Sequence, residues 1–369
     1  MANYSIYIHI PFCKARCSYC AFSSCTDLSL QEAYFAKLFA EISACELPEK
    51  RIGTVFLGGG TPSAVDGKYI VRLFDLLRSR FDLADDCEIT TEANPESATT
   101  DKLKMFRDVG VNRISFGLQS LNNATLAKIG RLHTSEQFLQ VLDNALAVGF
   151  TNINADLMLG LPETHADFLH TVDTAVRLPL SHLSLYALEL YPDAPLYALR
   201  NQIPSDQDYL ADLYDQAVAR FAEAGFMRYE TSNFARDGKR CKHNLNYWHE
   251  GRYYGFGASA SGFVGDVRYD NVRDIRDYIA ADNVRVNAET ESLDTQANEY
   301  AMLALRLADG VDLAEFRARY GQDFFTYFDS ANRLLQQGCL QVVGGSVVIP
   351  DDKYYVANAI LSELVDFDD

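Results

Sequence analysis

The sequence predicts an α/β protein: a partial (β/α)6 barrel of the TIM type, followed by a small C-terminal α+β domain. Short apolar runs alternate with longer periodic stretches up to about residue 190, and this alternation is typical of a parallel sheet covered by helices. Six such units are fewer than the eight of a complete TIM barrel, so the barrel is expected to be open. After residue 192 the pattern changes, which predicts a separate tail.

The barrel strands are predicted from short apolar, β-rich runs and the helices from the periodic segments between them. The predicted strands are Ser5–Ile10, Thr54–Leu57, Cys87–Thr91, Arg113–Gly117, Asn152–Met158 and His182–Leu188. The predicted helices are Leu30–Ala44, Tyr69–Arg80, Thr100–Val109, Ser135–Val148, Ala166–Arg177 and Gln207–Ala224.

Polar and glycine-rich residues follow five of these strands. The segments concerned are Pro11–Cys13, Gly58–Pro62, Glu92–Pro95, Gly117–Ser120 and Gly160–Pro162. Because the carboxyl ends of parallel strands form the active-site face of α/β barrels, these segments predict one shared site.

The chain is predicted to divide into a barrel over residues 1–230, an irregular, aromatic-rich connection over 231–295, and a C-terminal domain over 296–369. The tail is expected to contain three helices, two short strands around Gly344–Gly345 and a last helix, an order that resembles a winged helix. DNA binding is nevertheless disfavoured, because residues 300–369 carry a net charge of −6, the wrong sign for phosphate.

Composition excludes several classes of function. The net charge of −18 over 369 residues argues against nonspecific nucleic-acid binding. No apolar run reaches about 18 residues, and the start of the chain lacks an export signal. Eight cysteines in a chain of this length predict a reducing cytoplasm in which thiols are used for chemistry. Peripheral association with a membrane stays open.

The strongest chemical signal is the spacing C-x3-C-x2-C at Cys13, Cys17 and Cys20. Three thiolates on a short loop can hold a [4Fe-4S] cluster, and three ligands for four irons leave one iron open, as in catalytic metal sites. The alternatives are a zinc site, with Cys25 as a fourth ligand, and cysteines without a shared role.

This motif, with Tyr19 before its last cysteine, resembles the signature of radical S-adenosylmethionine (SAM) proteins. Four segments extend the resemblance to the oxygen-independent coproporphyrinogen III oxidase family within that group, over nearly the whole chain including its C-terminal domain. They are Tyr7–Cys13, Gly58–Pro62, Gly117–Ser120 and Asp156–Pro162.

The resemblance implies that SAM binds the open iron through its amino and carboxylate groups and that an electron donor reduces the cluster. The positions that match SAM contacts of the family are Tyr7, Tyr19, Gly59, Gly60, Thr61, Glu92, Gln119, Arg131 and Asp156. Gly59 and Gly60 would let the backbone approach the ligand closely. Arg131 suits the SAM carboxylate, although for any one of these residues a structural salt bridge is the alternative.

Two departures from the oxidases favour the haem chaperone branch of this family. Phe22 stands where the oxidases have a further cysteine, and Cys13 lies almost at the start of the chain. The segment His243–Trp248 matches an H-N-x-x-Y-W motif of that branch. His243 is a candidate haem ligand beside two large aromatic side chains, and Cys241 is a second candidate. The alternative is a core histidine packed among aromatic residues.

Three functions follow from these observations and the resemblance. The first is a haem chaperone that carries a cluster and SAM and delivers haem to a respiratory protein. The second is a coproporphyrinogen dehydrogenase-type oxidoreductase, which would decarboxylate a porphyrinogen. The third, a radical SAM enzyme acting on another tetrapyrrole, has no positive sequence feature in its favour.

Overall fold

The computed structural model describes residues 4–192 and 194–365, and six parallel strands form the centre of its fold. All six predicted strands are confirmed, and each pairs in parallel with the next. They are β1 (Tyr4–Ile10), β2 (Arg51–Gly59), β3 (Asp82–Ala93), β4 (Arg113–Gln119), β5 (Asn152–Leu159) and β6 (His182–Ala187). Parallel strands covered on both faces favour apolar runs such as Ile6, Ile8 and Ile10, all three of which are fully buried.

The helices lie outside the sheet and follow the predicted bounds closely. They are α1 (Gln31–Ala44), α2 (Gly67–Arg80), α3 (Thr100–Asp108), α4 (Asn123–Lys128), α5 (Ser135–Ala147), α6 (His165–Ala175) and α7 (Gln207–Glu223). Helix α4 was not predicted, because six residues are too few to show a helical period. Apolar side chains join neighbouring helices: Phe35 of α1 stacks on Tyr69 of α2 with ring centroids 4.6 Å apart.

The prediction of an irregular connection over 231–295 is wrong, because this segment extends the sheet at both edges. It follows β7 (Met227–Arg228) and contains β8 (Asn233–Ala235), α8 (Lys242–Trp248), β9 (Tyr253–Phe256), β10 (Ser261–Val264), β11 (Val267–Asn271), α9 (Ile275–Ala280) and β12 (Arg285–Thr290). Strand β9 pairs in parallel with β1, and β8 pairs antiparallel with β6. Strands of three to six residues show too little alternation to be recognised from sequence.

The tail forms a small domain with its own apolar core. It contains α10 (Leu293–Ala304), β13 (Val311–Asp312), α11 (Leu313–Tyr320), α12 (Phe324–Tyr327), α13 (Asp329–Gln336), β14 (Gln341–Val343), β15 (Ser346–Val348) and α14 (Ala357–Leu364). The predicted order is present, with two short elements added: α12, and β13, which pairs with β15 as part of a small antiparallel sheet. The core includes Phe316, Phe324 and Phe328. The domain boundaries at 230 and 295 stay predictions.

Ion pairs join the tail to the extended sheet. Arg319 of α11 lies 3.5 Å from the Glu250 carboxylate, and Arg268 of β11 pairs with both Glu291 and Glu299. Among the helices of the described residues, none is both long enough and apolar enough to cross a membrane.

Candidate metal and cofactor site

The carboxyl ends of the parallel strands open into a cavity of about 470 Å³. The cavity wall contains most of the predicted site residues, which were distant in sequence. These are Cys13, Cys17, Tyr19, Cys20, Gly59, Gly60, Thr61, Glu92, Gln119, Arg131 and Asp156. Two predicted residues, Tyr7 and His243, are not part of this wall. The hydroxyl of Tyr7 instead lies 3.0 Å from Nδ1 of His9.

Backbone hydrogen bonds fix the cysteine loop to the first strand. The amide of Cys13 donates to the carbonyl of Cys25 at 3.0 Å, and the amide of Cys25 donates to the carbonyl of Pro11 at 2.6 Å. The side chain of Phe12 is fully buried and packs edge-on against Tyr34, with ring centroids 5.3 Å apart. The loop therefore leaves and returns beside β1, which holds its thiols at the rim of the barrel.

Polar side chains from neighbouring strand ends reach two of the thiols. Thr61 Oγ1 donates to the Cys13 sulfur at 3.3 Å, and Arg131 Nη1 donates to the Cys17 sulfur at 3.5 Å. Asn94 joins the two groups, because it accepts from Arg131 Nη2 at 2.8 Å and donates to Thr61 Oγ1 at 3.1 Å. Burial raises the pKa of the Cys13 thiol to about 11, although the Thr61 hydroxyl acts in the opposite direction, so this thiol loses its proton when it binds a metal.

The positions of the cysteine sulfurs do not suit a single zinc ion. Tetrahedral zinc holds sulfur at about 2.3 Å, so neighbouring sulfurs lie roughly 3.8 Å apart. Within residues 4–192 and 194–365, no three cysteine sulfurs lie within 4.8 Å of one another. Each cysteine of a [4Fe-4S] cluster instead binds its own iron at a separate corner of the cube. The loop thus fits a cluster better than the zinc alternative that includes Cys25.

Two glycines of the cavity wall occupy positions where a side chain would clash with the first strand. Gly59 has a φ of +99°, and a Cβ there would lie 2.3 Å from the ring of His9. A Cβ on Gly60 would lie 2.7 Å from the carbonyl oxygen of Ile10. A positive φ and such close neighbours favour glycine. Glycine at both positions therefore lets the end of β2 pack directly against the end of β1.

Two carboxyl groups and an amide face the cavity beyond the glycines. Burial, and then the charge of Asp156, raise the pKa of Glu92 to about 8. Burial also raises the pKa of Asp156, although Asn154 donates to its carboxylate at 2.7 Å. Gln119, held at a φ of +70°, keeps a buried Oε1 without a hydrogen-bond partner. These acceptors suit a ligand that brings hydroxyl or ammonium donors.

The structure places His243 in the interior of the protein. The side chain is 1% exposed, and both of its ring nitrogens have partners, Thr54 Oγ1 at 2.6 Å and the Tyr247 hydroxyl at 2.9 Å. The ring also stacks on Phe56 at 5.0 Å. This arrangement favours the alternative of a core histidine that orders α8 over a haem ligand. Cys241 is likewise fully buried, with its thiol 3.5 Å from Glu88.

Comparisons with known proteins identify the family. Residues 7–175 match the radical SAM superfamily and residues 292–351 match the HemN C-terminal domain. The chain is 35% identical to the heme chaperone HemW of Mycobacterium tuberculosis, over 98% of this chain and 95% of that one. It is 33% identical to the heme chaperone HemW of Bacillus subtilis, over 96% and 97%. The chain belongs to the HemW family.

A solved structure supports the fold of this HemW-family chain. The coproporphyrinogen III oxidase HemN of Escherichia coli, a radical SAM enzyme, superposes with a TM-score of 0.85 over 98% of this chain and 90% of that one, at 23% identity. Proteins of the radical SAM superfamily use a [4Fe-4S] cluster and SAM. The three free cysteines in the cavity wall are thiol ligands for a cluster, and the unpaired Gln119 oxygen is an acceptor for donors of SAM.

Sequence reasoning missed several polar residues of the cavity. Asn94 lies in the strand-end segment Glu92–Pro95 that predicts the shared site, but it was not singled out as a site residue. Ser115, Asn154 and Ser184 lie within strands, and Arg113 begins one. Nothing in the sequence shows that a polar side chain inside a strand points into an open barrel rather than to solvent.

Replacing Cys17 with alanine should abolish cluster assembly, because the loop then offers two of the three thiolates. We expect anaerobically reconstituted Cys17→Ala to lose the broad absorbance near roughly 400 nm and its iron, about four per chain in the native protein. Cys339→Ala, a change in the tail, is the matched control and should assemble a normal cluster. A full iron content in Cys17→Ala would refute the site.

Replacing Glu92 with glutamine should change how stability depends on pH. The folded protein keeps a proton on Glu92 up to about pH 8, whereas the unfolded chain releases it near 4.5. Native stability from this group is therefore present at low pH and lost as pH rises through that window. Relative to the native protein, cluster-free Glu92→Gln should gain roughly 3–4 kcal/mol of unfolding free energy between pH 5 and 8.

Urea unfolding at several pH values measures this difference. The exposed Glu32 of α1 provides the control, since Glu32→Gln should leave the pH profile of stability unchanged. Parallel profiles for the native protein and Glu92→Gln would show that Glu92 is ionised at neutral pH.

Replacing His243 with alanine should lower stability rather than alter a haem ligand. The change removes one hydrogen-bond partner from each of the Thr54 and Tyr247 hydroxyls, which lowers the free energy of unfolding by about 1–3 kcal/mol. The exposed His249 at the end of the same helix gives the control variant His249→Ala, with little expected effect. If His243→Ala instead shifted the haem absorption maximum at unchanged stability, His243 would be an iron ligand.

Proposed function

We propose that the chain is a haem chaperone, which holds a [4Fe-4S] cluster and SAM in the barrel cavity, binds haem and delivers it to a respiratory haem protein. The observation that carries this proposal is the similarity to heme chaperones along nearly the full length of both chains. Phe22, in place of the further cysteine of the oxidases, supports it. The likeness to the coproporphyrinogen oxidase structure is at 23% identity and therefore supports the fold alone.

Cys13, Cys17 and Cys20 would hold the cluster, which when bound supplies one-electron chemistry to SAM. The chain's own contribution is to position and stabilise the ligands. Arg131 and Thr61 donate hydrogen bonds to two of the sulfurs and hold them in position, and the thiols lose their protons as they bind iron. The loop hydrogen bonds to Cys25 and Pro11 keep the thiols at the cavity rim.

SAM would lie along the strand ends between the loop and the carboxyl groups. Gly59 and Gly60 line the cavity, and Arg131, beside the Cys17 thiol, would bind the SAM carboxylate. Glu92, Gln119 and Asp156 offer acceptors for ribose hydroxyls or the ammonium group. Thr61 and Tyr19 line the same wall, whereas Tyr7, outside the wall, is proposed as a contact on the family resemblance only.

The partners of the chain follow from the same proposal. An electron donor would reduce the cluster, and a respiratory protein would accept the haem. The motif at His243–Trp248 would affect haem binding indirectly, by fixing the position of α8. Asn244 of that helix lines the cavity, whereas His243 is buried behind it.

A haem titration paired with a turnover assay tests the proposal. We expect saturable haem binding by the cluster-loaded protein. With SAM, a reductant and coproporphyrinogen III under anaerobic conditions, the mass of the porphyrinogen should stay unchanged. Loss of two carboxyl groups from the porphyrinogen would identify an oxidase instead. The Cys17→Ala variant shows in the same titration whether haem binding depends on the cluster.

A further inference from the structure

A buried arginine faces the cavity without a partner. Arg113, the first residue of β4, is 2% exposed and lies in the cavity wall. Its Nε has no hydrogen-bond partner, and within the described ranges no carboxylate oxygen lies within 4.0 Å of its guanidinium, which would otherwise form an ion pair. Buried arginines are rarely left unpaired, so these donors are available to a ligand.

The nearest acidic side chains are already engaged by other donors. Glu88 Oε1 accepts from the amide of His243 at 3.1 Å and from the thiol of Cys241 at 3.5 Å. Asp156 accepts from Asn154 at 2.7 Å and from Ser115 at 3.3 Å. Both carboxyl groups contribute negative charge near Arg113, but neither provides the planar pair of acceptors that a guanidinium binds best.

Arg113 lies too deep to share the role proposed for Arg131. The guanidinium of Arg131 contacts the carbonyl of Gly117 and the sulfur of Cys17 at the cavity rim. Arg113 precedes Gly117 by four residues on the same strand, which corresponds to roughly 13 Å of strand length. Three arginines thus line the cavity: Arg16, which is exposed, Arg131 beside the cysteine loop, and Arg113 at the floor.

The mouth of the same cavity is aromatic. Phe22 and Tyr191 line it and are 70% and 41% exposed, so these rings do not pack in the protein core. Tyr186 lines the interior of the cavity, with its hydroxyl buried near Asp156. An aromatic mouth above a cationic floor matches a flat apolar ligand with an anionic arm. Haem has this form, because its porphyrin ring carries two propionate groups.

We propose that Arg113 is the binding point for a propionate of the bound tetrapyrrole, separate from the SAM carboxylate. This inference rests on the proposed haem chaperone function. The amide groups of Asn233 and Asn244, which line the same cavity, add neutral donors for the carboxylate. The ring system then lies along Tyr186 in the interior and toward Phe22 and Tyr191 at the mouth.

Haem and haem dimethyl ester, titrated into the cluster-loaded protein, test the inference, because esterification removes the propionate charge. We expect the native protein to bind haem about ten- to a hundredfold more tightly than the ester, the range of one buried charge-assisted pair. In Arg113→Gln this preference should disappear, while SAM affinity measured by calorimetry stays within about twofold of the native value.

Arg51→Gln is the matched control, since Arg51 likewise begins a strand but is exposed and pairs with Asp82 on the outside of the sheet. It should keep the native preference for haem. Equal affinity of the native protein for haem and the ester would overturn the inference even if Arg113→Gln failed to fold. So would a loss of SAM binding in Arg113→Gln with haem preference retained. Absence of any haem binding to the native protein would instead overturn the chaperone function itself, and the inference with it.

Discussion

The site depends on the position of the cysteine loop, which the first strand fixes. Strand β1 is paired in parallel on both sides, with β2 and with β9, so its carboxyl end cannot move independently of the sheet. The Cys13–Cys25 and Cys25–Pro11 backbone bonds then return the loop to that end. Three thiols on an unanchored loop would lose much conformational freedom on binding iron. In this protein the loop is already ordered when the barrel folds, so less conformational entropy is lost when the iron binds.

The interior of the barrel contains polar side chains, and the hydrogen bonds between them offset the cost of burying them. The amide nitrogen of Asn154 lies within 3.0 Å of Ser115, Asp156 and Ser184 and can donate to two of them. His182 lies between Asn154 and Tyr229, at 2.6 and 2.8 Å. Satisfied networks of this kind stabilise one arrangement of a buried interior, whereas unpaired members are costly.

Two buried polar atoms without a hydrogen-bond partner therefore indicate where a ligand can bind. The Oε1 of Gln119 and the Nε of Arg113 both belong to residues of the cavity wall, at opposite ends of β4. A ligand that completed both would recover the cost of leaving them unpaired. The cavity is thus shaped for occupation along its whole depth, not only at the rim where the cysteines lie.

The sequence predicted the barrel and the rim of the site well, for physical reasons. Alternating strands and helices have strong periods, and a glycine run or a cysteine spacing after a strand indicates a strand end directly. The strands over 231–295 were missed because they are short, and Arg113 was missed because it begins a strand. His243 was predicted as a candidate haem ligand, with a core histidine as the alternative. The sequence does not show the positions of Thr54 and Tyr247, which engage both ring nitrogens.

The central claim is that the cluster and SAM share the cavity beside Cys17 and Arg131. Electron–nuclear double resonance on the reduced, cluster-loaded protein with SAM labelled by ¹⁵N in its amino group tests this most directly. We expect a ¹⁵N hyperfine coupling that shows the amino group bound to the cluster. Labelled SAM that binds the protein, by calorimetry, without any such coupling would contradict the shared site.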